Sequence, residues 1–285
     1  MFKLHQTLEM IKIAFHNAGF FSCCSVKLRD IINNFVHSTN LNEQLNLEVD
    51  SSDLFSLYKK QCDTKRDITY DFFMKPSSAL ECSSALERRN VKFCVWDQFK
   101  EFSSLNYDLL KPFITRYFSP SRVVNQILTN LEKRYNLDYK NTIAVYYRGT
   151  DKKVETELGS FDDFYNEIRR AVSTHTQEGK SNNDLHILVQ TDDSTFLDYI
   201  KTKDLDNLVV IHENKTSDLA LGFHNEASVG DLNYFHMLYF LPTVISISKC
   251  KHVVCNSGNC SLWMMLYRGN AKNVSQYLNG TWFHS

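Results

Sequence analysis

Arg148 is the first residue of this chain whose position suggests chemistry, because it directly follows the apolar run of residues 143–147. The planar guanidinium of an arginine binds a phosphate through two parallel hydrogen bonds and remains charged when partly desolvated. Asp151 follows three residues later, and an ion pair between the two side chains at a sheet edge would explain the same pattern. Two interpretations follow: Arg148 is one part of an anion-binding site, or it forms a structural ion pair with Asp151.

A small polar turn near the C-terminus is the second candidate for anion binding. Residues 255–261, read as C-N-S-G-N-C-S, stand between an apolar strand-like run and an apolar helix-like run. The first N–H groups of such a helix have no partner within the helix, and the helix dipole favours negative charge. An ordinary helix cap with a glycine turn is the alternative. The residues expected at this anion site are Ser257, Gly258, Asn259, Cys260 and Ser261.

Asp192 and Asp193 follow another apolar run, L-H-I-L-V-Q-T. Such a pair most often caps the next helix, since carboxylates accept hydrogen bonds from the first N–H groups. In a ligand site, one of the two could accept a hydrogen bond from a ribose or sugar hydroxyl. Both roles stay open from the residues alone.

The elements that must position these residues alternate regularly after residue 140. Short, continuous apolar strands alternate with helical segments, a pattern typical of a parallel sheet with helices on both faces. In such a sheet ligands bind outside the carboxyl ends of the strands, where all three motifs fall. The sequence therefore predicts an α/β fold whose second half is Rossmann-like.

The first half has a less regular pattern. We expect an N-terminal domain over residues 1–118, a connecting helix over 119–140 that starts near Ser119-Pro120-Ser121, and the Rossmann-like domain over 141–285. The apolar spacing before Gly19 predicts a helix that ends near that glycine. Pro242 predicts a break or kink in the long apolar segment of residues 231–250.

Composition and cysteine spacing argue against several classes of protein. A formal net charge of −1 over 285 residues offers no electrostatic case for nucleic acid. The N-terminus lacks the continuous apolar core of a signal peptide, and no run reaches the ~20 residues of a membrane span. The eight cysteines show neither CxxC pairs nor zinc spacing, so reduced thiols in a soluble, cytoplasmic protein are expected despite four N-x-S/T sequons. Neither the dinucleotide-binding motif GxGxxG nor the Walker motif GxxxxGK[ST] occurs in the sequence.

Three ordered motifs resemble those of the α1,6-fucosyltransferases and their protein O-fucosyltransferase relatives. V-Y-Y-R-G-T-D-K is similar to the H-x-R-x-x-D-K motif of that family, L-V-Q-T-D-D-S-T-F-L to its T-D-D-x-x-x-L segment, and residues 252–269 to its final strand, turn and helix. The resemblance covers residues 140–270, in a short chain of the kind found in bacteria and large DNA viruses. It implies the GT-B architecture of two Rossmann-like domains and an inverting, metal-independent glycosyltransferase.

The resemblance also implies roles for individual residues. Arg148 would hold the donor diphosphate and stabilise it as the leaving group, and no cofactor is needed because the nucleotide-sugar is a co-substrate. A carboxylate must take the proton of the acceptor hydroxyl. Glu157 is the first candidate, Glu155 the second, and Asp71 of the N-terminal half a third, although the two glutamates could equally belong to a solvated loop. Catalytic residues are thus expected at Arg148, Asp151 and Glu157, and donor-binding residues at Tyr146, Arg148, Gly149, Lys152, Asp192, Asp193 and residues 257–261.

Two departures from the family pattern leave the donor open. Tyr146 stands where the family has a guanine-binding histidine, and the segment F-L-P-T-V-I-S lacks the family's acid. The donor is therefore GDP-fucose by resemblance or a UDP-sugar such as UDP-xylose, and the acceptor is a glycan. An inactive binding scaffold of the same fold and a phosphate-handling Rossmann hydrolase are the other classes.

Overall fold

The structure is a computed structural model that describes residues 9–37, 44–45, 47–63, 65–76, 80–81, 89–150, 152–177, 185–214 and 230–285. Within these ranges, no helix is both long enough and apolar enough to cross a membrane. The strands are β1 (Glu9–Lys12), β2 (Gln44–Leu45), β3 (Leu47–Asp50), β4 (Leu80–Glu81), β5 (Thr142–Tyr147), β6 (His186–Thr191), β7 (Leu208–Val210), β8 (His252–Asn256), β9 (Val274–Leu278) and β10 (Thr281–His284). The helices include α1 (Phe20–His37), α2 (Thr69–Phe72), α3 (Tyr107–Tyr117), α4 (Arg122–Arg134), α5 (Phe161–Gln177), α6 (Ser194–Lys201), α7 (Gly230–Lys249) and α8 (Asn259–Arg268).

The second half forms one six-stranded sheet in the order β10-β9-β8-β5-β6-β7. All neighbouring strands are parallel except β9 and β10. Strand β5 lies at the centre between β8 and β6, with Tyr146 opposite Cys255 on one side and Tyr147 opposite Thr191 on the other. The carboxyl ends of these three strands therefore meet at one edge.

Side chains of β5 alternate between two buried layers, as the pleat of a strand requires. Ile143, Val145 and Tyr147 pack with residues of α5 and α6 on one face. Ala144 and Tyr146 join the other face, which is covered by α7, α8 and parts of the first half. The sheet is covered on both faces, as its continuous apolar strands predicted.

The first half contains a β-α-β unit, in which α1 connects the parallel strands β1 and β3. The predicted helix that ends at Gly19 is wrong: residues 9–12 form β1, and the helix begins at Phe20, directly after that glycine. The reason is visible in the alternation of exposed Met10 and Lys12 with buried Ile11 and Ile13, which is the period of a strand.

Helix α4 confirms the predicted start of a helix after Pro120. Ser121 caps it by accepting a hydrogen bond from the N–H of Val124, and its own hydroxyl donates to the carbonyl of Asp71. One buried cluster then runs from α1 through Phe118 to Trp263 of α8, whose rings lie 4.6 Å apart. The two halves of the chain thus share buried side chains where α1 meets α8.

Two features of the second half differ from the expected pattern. Helix α7 continues through Pro242 as one helix, so the break, one of the two effects expected of this proline, does not occur. The chain then ends in a hairpin of β9 and β10 that the sequence analysis did not predict. Asn279 and Gly280 form its turn at φ of 47° and 81°, both in the left-handed region that Asn-Gly turns favour.

Candidate functional site

A cavity of about 190 Å³ opens at the carboxyl edge of the central strands. The second half contributes residues that follow β5 and β6 and the first turn of α8, while the first half contributes Tyr58, Gln98 and the start of α1. The cavity is smaller than the roughly 300–1,000 Å³ of typical ligand pockets, so a larger ligand would extend from its mouth. The predicted residues that line it are Tyr146, Arg148, Lys152, Asp192, Asn259 and Cys260.

Arg148 is held at the end of β5 by Asn256, the last residue of β8. The amide oxygen of Asn256 accepts a hydrogen bond from the Arg148 N–H at 3.1 Å, and its amide nitrogen donates to the Arg148 carbonyl at 2.9 Å. The guanidinium, 20% exposed, lies 3.6 Å from the Cys260 sulfur and 3.9 Å from an Asp192 carboxylate oxygen. It therefore contacts the first turn of α8, and both line the cavity.

Asp192 and Asp193 have separate roles in the structure. Asp192 lines the cavity and accepts hydrogen bonds from the N–H of Gly149 at 2.9 Å and the hydroxyl of Thr150 at 2.7 Å. Asp193 caps α6 by accepting from the N–H groups of Thr195 and Phe196. A side chain at Gly149 would place its Cβ 2.3 Å from an Asp193 oxygen, so this loop requires a glycine.

Lys152 is a buried cation beside the cavity. Its ammonium donates to Glu155 at 2.5 Å and to Gln98 at 3.3 Å, and it lies 4.7 Å from the centre of the Phe99 ring. Its aliphatic chain passes so close to Gly258 that a Cβ there would meet Lys152 Cε at 2.9 Å. Lys152 thus connects the loop after β5 with the turn before α8.

The polar turn before α8 contributes differently from the prediction. The Ser261 hydroxyl donates to the Asn256 carbonyl at 2.6 Å, and the Ser257 hydroxyl accepts from Gln276 at 2.8 Å. Both hydroxyls therefore bond within the protein, and neither residue lines the cavity. Asn259 and Cys260 do line it, and the first backbone bond of the helix joins the N–H of Leu262 to the carbonyl of Gly258. The N–H groups before Leu262 are those that can face an anion.

The other end of the cavity is aromatic. Tyr146 is buried, and burial raises the pKa of its hydroxyl well above the usual value. Its ring lies 6.3 Å from Phe240 of α7, which in turn stacks on His236 at 5.5 Å. Local sequence pattern did not indicate Gln98, His236 or Phe240, because they come from distant elements that only the fold brings to β5.

The predicted carboxylates lie at different places. Glu155 lines the cavity, whereas Glu157 is exposed and lies against Gly280 of the hairpin turn. Asp71 accepts two hydrogen bonds from Arg66 and one from the Tyr234 hydroxyl, and it does not line the cavity. Asp151 lies outside the described residues. The roles assigned to these carboxylates remain predictions.

Among the comparisons with known proteins, solved structures alone show a similar fold. No family model matches the chain, and no curated protein matches it in sequence. A crystal structure of NodZ α1,6-fucosyltransferase soaked with GDP-fucose is similar over 98% of this chain and 99% of that one, with a TM-score of 0.55 and 11% identity. Fucosyltransferase NodZ from Bradyrhizobium is similar over 97% and 98%, again with a TM-score of 0.55 and 11% identity. The predicted α/β fold of the GT-B type is confirmed.

Proposed function

We propose that this chain is a glycosyltransferase that uses a sugar linked to a nucleoside diphosphate as its donor. One observation carries the proposal: the Arg148 guanidinium and the first turn of α8 lie side by side in the wall of one cavity at the carboxyl edge of the sheet. A flexible sugar–nucleotide diphosphate carries its charge between two uncharged ends, and this cavity places the side chains of Arg148 and Lys152 beside an aromatic region. The fold-level similarity to a fucosyltransferase supports the same function.

The chemical step is an in-line displacement at the anomeric carbon of the donor. The acceptor oxygen forms a bond to that carbon from the side opposite the diphosphate, whose oxygen leaves with the bonding electrons, so the configuration inverts. Negative charge grows on the diphosphate, and hydrogen-bond donors of the protein that already point at it stabilise the transition state. Arg148, Lys152 and the N–H groups of Asn259 and Cys260 supply that stabilisation as fixed positive charge and dipoles, so the proposed step needs no metal.

Glu155 is the carboxylate best placed to act as general base. It lines the cavity, its side chain is 49% exposed, and its ion pair with the buried Lys152 holds it at the edge of the site. It would take the proton from the acceptor hydroxyl as that oxygen attacks. Glu157, the first candidate from the sequence, would have to leave the hairpin turn to reach the same place.

The donor base would occupy the aromatic end of the cavity, near Tyr146, His236 and Phe240. GDP-fucose is the first donor to test, since the similar fucosyltransferase was soaked with it. A UDP-sugar is the second, because Tyr146 replaces the family's guanine-binding histidine. Thermal unfolding with GDP, UDP and their sugars distinguishes the two: a ligand at 100 times its Kd adds about 2.7 kcal/mol of stability.

The acceptor would approach along the side of Glu155 that faces solvent. Trp96 belongs to the short helical turn Val95–Phe99, which also carries the cavity-lining Gln98. The indole is 64% exposed and stacks on Phe99, the ring beneath the Lys152 ammonium. An exposed aromatic face next to a polar site suits a sugar ring, which presents C–H groups on one face. This supports a glycan as the acceptor.

The deciding experiment measures release of nucleoside diphosphate from GDP-fucose and from UDP-sugars. Wild type should release it, by transfer or by slow hydrolysis, and Arg148→Ala should not. If both proteins bound nucleotide equally and neither turned donor over with any acceptor of a broad glycan panel, the chain would be a binding scaffold instead.

A further inference from the structure

Asn259, the first residue of α8, is oriented by a residue of the opposite half of the chain. Ser25, in the middle of α1, donates its hydroxyl proton to the side-chain oxygen of Asn259 at 2.8 Å. Ser25 is fully buried and is separated from Asn259 by 234 positions in the chain. Local pattern in either segment gives no sign of this contact.

Trp263 occupies one of the two acceptor positions of the Ser25 hydroxyl. Its indole N–H, which can only donate, reaches the Ser25 oxygen at 3.0 Å, and the indole is itself fully buried. One lone pair of the hydroxyl is thus taken by the indole, and its single proton is directed to Asn259. The buried indole N–H gains its partner by the same contact.

The consequence is a fixed orientation of the Asn259 amide. With its oxygen bonded to Ser25, the amide keeps its two N–H groups free of α1's hydroxyl, and Asn259 itself lines the cavity. Among the described residues, no acceptor binds those two N–H groups. The opposite orientation would present the amide oxygen to the cavity that holds Arg148 and Lys152, and there it would repel an anion.

We propose that Ser25 is a positioning residue for the donor diphosphate: it directs the Asn259 amide N–H groups at the phosphates, so α1 controls an anion contact made by α8. The inference rests on the proposed function for the identity of the ligand. It goes beyond that function because it assigns part of the affinity to a side chain that does not touch the ligand. When the protein groups of a binding site already point at the ligand, less free energy is lost in ordering them as the ligand binds.

Binding measurements on variants test the inference with inorganic pyrophosphate, GDP and UDP as probes. Ser25→Ala should weaken binding of pyrophosphate and of the preferred nucleotide by about tenfold, as expected for one hydrogen bond to a charged group. Ser25→Thr, which keeps the hydroxyl, should retain most of the affinity. Ser248→Ala removes another buried helix hydroxyl that bonds only to its own helix, and it should leave binding unchanged.

A double variant separates positioning from a general loss of stability. If Ser25 acts through Asn259, then Ser25→Ala should add nothing further in an Asn259→Ala background, because the orientation it sets no longer matters. Independent, multiplying effects on Kd would overturn the inference, as would wild-type affinity in Ser25→Ala. Urea unfolding identifies the loss of the Trp263 partner as a separate, structural effect.

The probes keep this inference apart from the proposed function. Pyrophosphate that binds wild type and depends on Ser25, with neither GDP nor UDP binding, would support the positioning role and refute the nucleotide-sugar donor. Nucleotide binding that is insensitive to Ser25 would support the donor and refute the positioning role. No binding of any of the three probes to wild type would refute both.

Discussion

Lys152 and Glu155 form an ion pair of 2.5 Å in which the ammonium side is 4% exposed and the carboxylate side 49% exposed. The pair therefore has one end inside the protein, beside Gln98 and the Phe99 ring, and one end at the mouth of the cavity. A carboxylate held in this way remains accessible to an incoming hydroxyl. This relationship is what favours Glu155 over Glu157 as the base.

Glu155→Gln should lower the rate of transfer at saturating donor by a factor of 10² to 10⁴, the usual contribution of a general base. The matched variant Glu157→Gln should transfer at nearly the wild-type rate, because its carboxylate lies at the hairpin turn. Donor affinity should change little in either. A large loss in Glu157→Gln with normal activity in Glu155→Gln would reverse the assignment.

Arg148→Ala should lower kcat/KM for the donor by at least a factor of 10², in the range observed when one donor to a developing anion is removed. Arg148→Lys should recover only part of this, since an ammonium cannot form the two parallel hydrogen bonds of a guanidinium. Arg134→Ala serves as a control, because that arginine is exposed and pairs with Glu213 on the surface. Steady-state kinetics on the three variants, with nucleoside diphosphate release as the readout, measures whether kcat/KM is lowest in Arg148→Ala, intermediate in Arg148→Lys and unchanged in Arg134→Ala.

The sheet and the position of its ligand edge could be predicted because they depend on local patterns. Continuous apolar runs indicate buried parallel strands, and the capping side chains Ser121 and Asp193 mark helix starts where the structure has them. The prediction fails at residues 9–12 because the apolar positions Met10, Ile11 and Ile13 in a short window fit both a helix and a strand. The pairing of β1 with β3, a contact between distant segments, decides between the two.

The site could be predicted only where its residues follow strands. Arg148 and Asp192 were found this way, whereas Ser257 and Ser261 were assigned to the ligand although their hydroxyls bond inside the turn. A serine in a polar turn has the same sequence pattern whether its hydroxyl binds a ligand or bonds within the turn. Ser25 required the packing of α1 on α8, which no local pattern contains.

Gly258→Ala should impair donor binding more than Gly269→Ala does, although both glycines have positive φ. Gly258 has φ of 154° and ψ of 172°, a region that other residues essentially never adopt, and its added Cβ would meet Lys152 Cε at 2.9 Å. At Gly269, with φ of 72°, an added Cβ would meet no atom of a non-adjacent described residue within 4 Å. We expect Gly269→Ala to lose stability only, and Gly258→Ala to lose both stability and nucleotide affinity, as measured by urea unfolding and calorimetry.

Trp96→Ala should raise the KM for a glycan acceptor several-fold and leave donor hydrolysis unchanged, because the ring is exposed and outside the cavity. Trp96→Phe, which keeps an aromatic face, should have an acceptor KM between those of Trp96→Ala and wild type. Val154→Ala removes another exposed apolar side chain, 83% accessible, and serves as the control. Oligosaccharides of N-acetylglucosamine, mannose and galactose provide the acceptor panel. Equal acceptor KM in all three variants would exclude Trp96 from acceptor binding.

The stability of the fold should depend on pH through His252, at the start of β8. Burial, together with the neighbouring His175 and Arg170, lowers the pKa of His252 to about 3. In the unfolded chain a histidine takes up a proton near pH 6.5. Between those two values the unfolded state binds a proton that the folded state does not, so the free energy of unfolding falls as the pH is lowered through this window.

His252→Gln should remove this part of the acid sensitivity. Glutamine can still pair with the Ser275 hydroxyl, which lies 2.8 Å from the His252 ring, but it cannot take up a proton. We expect the free energy of unfolding to drop by about 2 kcal/mol less in the variant than in wild type between pH 7.5 and pH 5. Urea unfolding at the two pH values measures the difference directly, and comparing the same drop cancels any constant cost of the substitution. Parallel curves for the two proteins would mean that His252 is protonated in the folded state, and that its buried contacts with His175 and Ser275 tolerate the charge.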